Sequence, residues 1–382
     1  MINSYIAGMT KAGYFPILDV LRLLASFCVL LAHSVVFFHA APIETIHFGH
    51  IIKDAGYYGV LFFYVLSGFL ITWLLLKERE DTGTIAVKKF YLRRALRIWP
   101  LYYLIVLLSF FVFSWLWPWR QVMPGWNSPL SFLLYLFFLP NIATFSGAYL
   151  PTCFHTYTIG FEEQFYLFWP LILKVIRTRL LPVLVFLFFL PPLLEILHLY
   201  IVVQPSRQEA GVVHLVRAAL TFINYSNMPA FIAGALSAVL FRDPGKKVVR
   251  ALGGTGWKYL WIAVIFALMY FGIPSLNGYV NLVSIVFALL ILNLVQSASG
   301  SGRISGILAR GGKISYGIYI FHPAVLILVS ACMAKTAIGS FLPPLTMYLL
   351  YLLLSSLLVL LISAGSYRYF ERAFLKRKER LI

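Results

Sequence analysis

Ten runs of about 20 predominantly apolar residues constrain this chain more than any other feature of it. They lie at roughly 17–39, 56–76, 98–117, 161–177, 180–202, 220–241, 258–275, 279–297, 314–334 and 345–367. A helix of that length spans the hydrocarbon core of a bilayer, about 30 Å, and satisfies its own backbone polar groups on the way. Composition agrees, with 61% hydrophobic and 12% charged residues, where a soluble domain carries about 25% charged. A water-soluble fold is excluded. An eleventh apolar stretch, 130–144, is short and is expected to be re-entrant or interfacial. It must then be buried in protein or line a cavity, because lipid does not tolerate exposed irregular backbone. The expected fold is all-α, a polytopic integral membrane helix bundle of about ten transmembrane helices plus that one segment. We find no internal repeat, low-complexity stretch or soluble domain, so residues 1–382 read as a single transmembrane domain.

The net charge of +18 sits in short runs of Lys and Arg between apolar blocks. Nothing gathers it on one face, so no nucleic-acid partner is expected. With ten spans and the N-terminus inside, only Lys53, Arg120, Arg207, Arg217 and Lys335 of the 31 Lys and Arg fall outside. That is the bias of the positive-inside rule. The chain is therefore expected to be a multi-pass protein of the cytoplasmic membrane, in contact with lipid, with both termini cytoplasmic. The first run is too long for a signal-peptide core and is expected to be a retained span. Cys28, Cys153 and Cys332 lie in or beside apolar stretches and read as packing residues. His39, Glu44, His47, His50 and Asp54 of the first outer loop have no recognised ligand spacing, so no metal site is expected.

Ionisable side chains inside spans are costly and are candidates for function. The first run holds Asp19, Arg22 and His33. Arg22 and His33 are 11 positions apart, a net rotation of about 20° and a rise of about 16 Å, so they share a face. Asp19 can pair with Arg22 one turn away. These residues read either as interface anchors with a packing histidine or as one lined face. The fourth run opens with Glu162-Glu163-Gln164. A helix N-terminus favours one acid, but adjacent side chains point about 100° apart, so two carboxylates cannot do the same job. Seven Lys and Arg fall within 77–97, among them Arg93, Arg94 and Arg97. Arg94 and Arg97 can point the same way, and guanidinium groups suit phosphates; anchoring or anionic lipid would also explain them. Ser315, Tyr319 and His322 form one stripe of the ninth run, either a seam between helices or a cavity wall. Glu195 and His198 read as a structural i, i+3 pair.

Together these segments resemble the membrane acyltransferase family 3, the O-acyltransferases of bacterial surface polysaccharides and related acceptors. Leu18-Asp19-Val20-Leu21-Arg22 followed by His33 is similar to the family's first helix, and Gly59 to Leu70 to its Phe-rich Leu-Ser-Gly-Phe segment around Ser67. Phe90 to Tyr102 matches its Arg-x-x-Arg loop. Glu162-Glu163-Gln164-Phe165-Tyr166, Ile314 to Pro323 and Phe370-Glu371-Arg372 complete the order. The chain departs from the pattern at Leu61, Tyr157-Thr158, Gly160 and Ala373, which bears on the acceptor more than on the reaction class.

The resemblance implies a transferase with no permanently bound cofactor. Its donor would be cytoplasmic acyl-CoA, acetyl-CoA above all, and its acceptor a hydroxyl of a surface glycan or lipid-linked saccharide of the cell envelope. It implies His33 as general base, Glu162 and Arg22 as further catalytic residues, and Arg93, Arg94 and Arg97 as donor-binding residues. Ser67, Gln164, Tyr166, Tyr319 and His322 would line the acceptor cavity. Some relatives append a hydrolase-like domain, and without one a second step would fall to another protein. A proton-coupled transporter or flippase of a saccharide or lipid would also show intramembrane His, Glu and Arg, but it gives the arginine cluster no obvious role.

Overall fold

A computed structural model describes residues 15–38, 49–116, 128–150, 152–203, 216, 219–220, 222–223, 225–242, 247–252, 254–271, 278–297, 303–336 and 342–379. His39, Glu44, His47, Arg120, Arg207 and Arg217 lie outside these residues, and the side chains of His50, Glu195 and His198 lie outside the description as well. Every regular element among the described residues is helical. In chain order they are α1 (Pro16–Phe37), α2 (Gly49–Thr82), α3 (Val87–Leu107), α4 (Pro129–Leu136), α5 (Pro140–Phe145), α6 (Tyr157–Val175), α7 (Leu180–Val203) and α8 (Met228–Phe241). They continue with α9 (Lys247–Leu252), α10 (Thr255–Phe271), α11 (Gly278–Ser297), α12 (Arg303–Gly312), α13 (Ser315–Ala334), α14 (Pro344–Ser366) and α15 (Arg372–Glu379).

Six helical stretches among the described residues are long and apolar enough to cross a membrane, and shorter apolar helices lie at Leu180–Leu194, Met228–Phe241 and Gly256–Phe271. The chain is thus a polytopic helical membrane protein. A helix coincides with each of the ten expected runs, but not always at full length. The run expected at 220–241 is broken where Asn227 takes a left-handed φ of 50° and Pro229 follows in the first turn, so α8 keeps only 14 residues.

Contacts divide the chain into two compact units. One comprises residues 1–18, 61–85 and 169–302. Here α2 and α8 cross backbone to backbone: a Cβ on Gly68 would collide with the Phe231 carbonyl oxygen. Glycine allows that approach, as small residues do at membrane helix crossings. The Arg79 guanidinium donates to the Leu173 and Ile176 carbonyl oxygens at 3.0 and 3.1 Å, satisfying groups that the end of α6 leaves open.

The second unit comprises residues 19–60, 86–168 and 303–382. Its core gathers Leu30, Ile318, Val325, Leu326, Tyr351 and Val359 from α1, α13 and α14. The short segment expected at 130–144 is two helices, α4 and α5, of eight and six residues, about 12 and 9 Å long and unable to span. Between them Phe138 turns left-handed at φ 58° and stacks on Tyr102 at 4.3 Å. The last carbonyls of α4 are not left in lipid: Tyr102 and Tyr103 of α3 donate their hydroxyls to the Tyr135 and Leu136 oxygens at 2.8 and 2.9 Å. This is how backbone polarity is hidden in a membrane protein where the chain is not one continuous helix.

Candidate active site

Both groups of candidate residues lie within the second unit, at two levels along α1. At one level α1 presents His33. Its Nδ1 lies 2.7 Å from Nε2 of His322 on α13, with the two rings parallel to within 6°. The His322 ring is fully buried, and its Nδ1 lies 2.7 Å from the Tyr319 carbonyl oxygen. The stripe of Ser315, Tyr319 and His322 is a seam between helices, and at Tyr319 also a cavity wall. Tyr319 hydrogen-bonds Thr158 of α6 and donates to the His155 carbonyl oxygen at 3.0 Å, while Ser315 bonds back to Gly312 within its own chain segment.

A third imidazole, His155, comes from the short 3₁₀ turn Phe154–Thr156 that leads into α6. Its ring centroid is 4.9 Å from that of His322 and 5.2 Å from that of Tyr319. Both its ring nitrogens are buried without a hydrogen-bond partner. Burial, and then the neighbouring His33, hold its pKa well below the ordinary histidine range. Sequence reading missed His155, because it stands two residues ahead of α6 and seven ahead of Glu162, and belongs to no helical stripe. The only signal was a polar aromatic residue in an apolar stretch ahead of two carboxylates. His33, His155, Thr158 and Tyr319 line a cavity of about 160 Å³, walled on the α2 side by Lys53 and Gly56. Such a volume admits a few water-sized groups.

At the other level, about 16 Å along the same helix face, Arg22 Nη1 pairs with Asp19 Oδ1 at 2.7 Å, as their spacing suggested. Arg22, Arg94 and Arg97 repel one another, and Tyr166 of α6 lies within reach of both Arg22 and Arg94. The Arg94 guanidinium lies over the rings of Phe90 and Tyr166 at 5.7 and 5.9 Å. Its Nε is buried with no partner. Arg93 adds its charge to the group. Glu371 is brought toward Arg97 by the π-helical turn Tyr367–Glu371 and accepts from Ser366 Oγ at 3.0 Å. Clustered guanidinium groups of this kind suit a multiply charged anion.

The remaining candidates divide between these levels and elsewhere. Glu162 accepts from the Tyr166 hydroxyl at 2.9 Å, whereas Glu163 accepts from Trp99 Nε1 at 3.2 Å, so the adjacent carboxylates do diverge. The cavity wall from α6 is Tyr157 and Thr158, one turn before Glu162. At His33 Nδ1 the neighbouring group is the His322 imidazole, and Glu162 is bonded to Tyr166 instead. Gln164 forms a reciprocal amide pair with buried Asn141 of α5, at 3.2 and 3.3 Å. Ser67 belongs to the first unit, next to the Gly68 crossing. Burial pushes the Cys153 thiol up to about 12, which leaves it unsuited to act as a nucleophile. Among the described residues no His, Cys, Asp and Glu group is arranged to hold a metal ion.

A family model described as an acyltransferase domain matches residues 15–366. Over 388 aligned residues the chain is 24% identical to a protein of Staphylococcus aureus strain COL that carries a provisional O-acetyltransferase name; the match covers 96% of this chain and 58% of that protein. It is also 24% identical over 346 residues to O-acetyltransferase OatA of Staphylococcus aureus strain NCTC 8325, covering 85% of this chain and 53% of OatA. The chain thus spans a little over half the length of these curated relatives. No solved structure matches it significantly.

Proposed function

The chain belongs to acyltransferase family 3, and from that premise we propose that it moves an acetyl group from cytoplasmic acetyl-CoA to a hydroxyl of a surface glycan or lipid-linked saccharide. The observation that carries this reading is one helix face bearing two different sites: the arginine group around Arg22 and Arg94, and the cavity at His33. The first suits the phosphates of a CoA donor, with Arg22, Arg93, Arg94 and Arg97 on the inner side. The second suits an acceptor hydroxyl arriving from the outer side. Between them the donor's pantetheine arm would bring the thioester up to His33.

In the reaction the acceptor hydroxyl gives its proton to His33 as its oxygen attacks the thioester carbonyl. The carbon–sulfur bond then breaks, and the CoA sulfur leaves with the proton that His33 held. The products are an ester and free CoA. His155, which lines the same cavity, would hold the acceptor or the carbonyl oxygen. Glu162 supports the arginine level through Tyr166.

Purified protein in lipid nanodiscs, given acetyl-CoA and candidate envelope glycans, tests the reading. Acceptor-dependent release of CoA is expected. Movement of labelled saccharide across proteoliposomes without any CoA release would instead identify a carrier.

A further inference from the structure

The hydrogen bonds around His322 assign tautomers to two imidazoles. An α-helical carbonyl accepts from the N–H four residues on, so the Tyr319 oxygen would accept from residue 323. That residue is Pro323, which has no N–H. The carbonyl so freed lies 2.7 Å from His322 Nδ1, and the Ile318 oxygen lies 3.3 Å from the same nitrogen. Two carbonyl oxygens cannot face a lone pair at those distances, so Nδ1 of His322 carries a proton. The ring is fully buried, with the imidazoles of His33 and His155 against it, and among the described residues no carboxylate is one of its partners. A single proton is the form such a site stabilises, which makes Nε2 of His322 an acceptor. That acceptor lies 2.7 Å from Nδ1 of His33, and His33 Nδ1 must then carry the proton between them.

We propose that the His322-Pro323 dipeptide is a tautomer lock: a carbonyl freed by proline fixes His322, His322 fixes His33 as the Nδ1–H form, and the unprotonated Nε2 of His33 is thereby kept for the acceptor hydroxyl. His322 is a positioning residue, acting through His33 and touching no reacting atom. It does here what an orienting carboxylate does for a catalytic histidine, without putting a second charge in the membrane. The proposal rests on His33 acting as the base, but its structural half can be tested without turnover.

The test is nitrogen NMR of the full chain, ¹⁵N-labelled at histidine, in nanodiscs, with signals assigned by single substitution. His33 and His322 are both expected as Nδ1–H tautomers in the wild type, and His33 is expected to lose that preference in Pro323→Ala, where a backbone N–H returns to compete for the Tyr319 oxygen. An Nε2–H tautomer at His33 in the folded wild type would overturn the lock. Kinetics supply the second readout. His322→Gln places an amide oxygen near the position of Nε2 and is expected to stay within about tenfold of wild-type kcat, whereas His322→Leu falls by about 10²-fold or more at unchanged KM for acetyl-CoA. Equal loss in the two variants would remove the positioning role. If His33 is the Nδ1–H tautomer and yet His33→Ala still transfers, the general-base reading fails while the lock remains.

Discussion

At the residue scale, the two levels of α1 are expected to fail differently. His33→Ala should remove about 10²–10⁴ of the rate, the usual contribution of general-base assistance. Abundance and CoA affinity should stay normal, because the change is remote from the arginine level. Initial rates of CoA release check this, and a variant with a third of wild-type turnover would sink the assignment. Arg94→Ala should instead weaken CoA binding by about 1.5–3 kcal/mol, the worth of one charge-assisted contact. Arg94→Lys is the sharper probe. It keeps the charge but loses the planar fork and its stacking over Phe90 and Tyr166. Calorimetric titration of CoA should place it closer to the alanine variant than to wild type, and equal affinity in all three would return the cluster to a topogenic role. The sequence already marked His33, Arg22 and Arg94, since a charge in an apolar run stands out. His155 did not stand out, because its importance comes from what surrounds it: a buried ring beside His33 and His322, on a residue that lines the cavity.

At the element scale, α14 shows how lipid shapes a helix. Leu345, Leu349, Leu353, Leu357 and Leu361 recur every fourth residue and are exposed, Leu361 at 70%. Tyr351, Ser355, Val359 and Ser363, offset by two positions, are buried. Two positions amount to about 200° of rotation, so the stripes face opposite ways. An apolar stripe of this length would be an aggregation hazard in water and is an anchor in a bilayer. Leu357→Lys should therefore reduce membrane-inserted protein, a mid-helix lysine costing about 2.5–3.5 kcal/mol. Comparing its yield in the membrane fraction with that of Leu357→Ala checks the orientation, and equal yields would mean that this face meets protein instead of lipid. The two faces of α14 do differ in hydropathy, leucine outside against tyrosine and serine inside, but that pattern does not say which helix covers the buried face.

At the scale of the whole molecule, charge is expected to set the orientation. Only five of the 31 Lys and Arg lie in the segments assigned to the outside, and juxtamembrane cations resist translocation. A fluorescent protein fused after Ile382 should fold and fluoresce, while alkaline phosphatase at the same point should stay inactive. The opposite pattern would invert the map and with it the donor and acceptor sides of the site.

What the sequence determined by itself was the solvent and the spacing. Runs of apolar residues can hide their backbones in lipid only as helices, and helical geometry then puts Arg22 and His33 on one face whatever surrounds them. Tertiary structure decided which groups those residues meet. His33 and His322 are 289 positions apart and bonded, Asn141 pairs with Gln164, and Glu371 reaches Arg97 through a π turn. Such pairings depend on which helices pack together. In a membrane, where lipid is as apolar as leucine, packing is chosen by close contact and hydrogen bonding between helices, which a pattern of hydrophobicity does not encode.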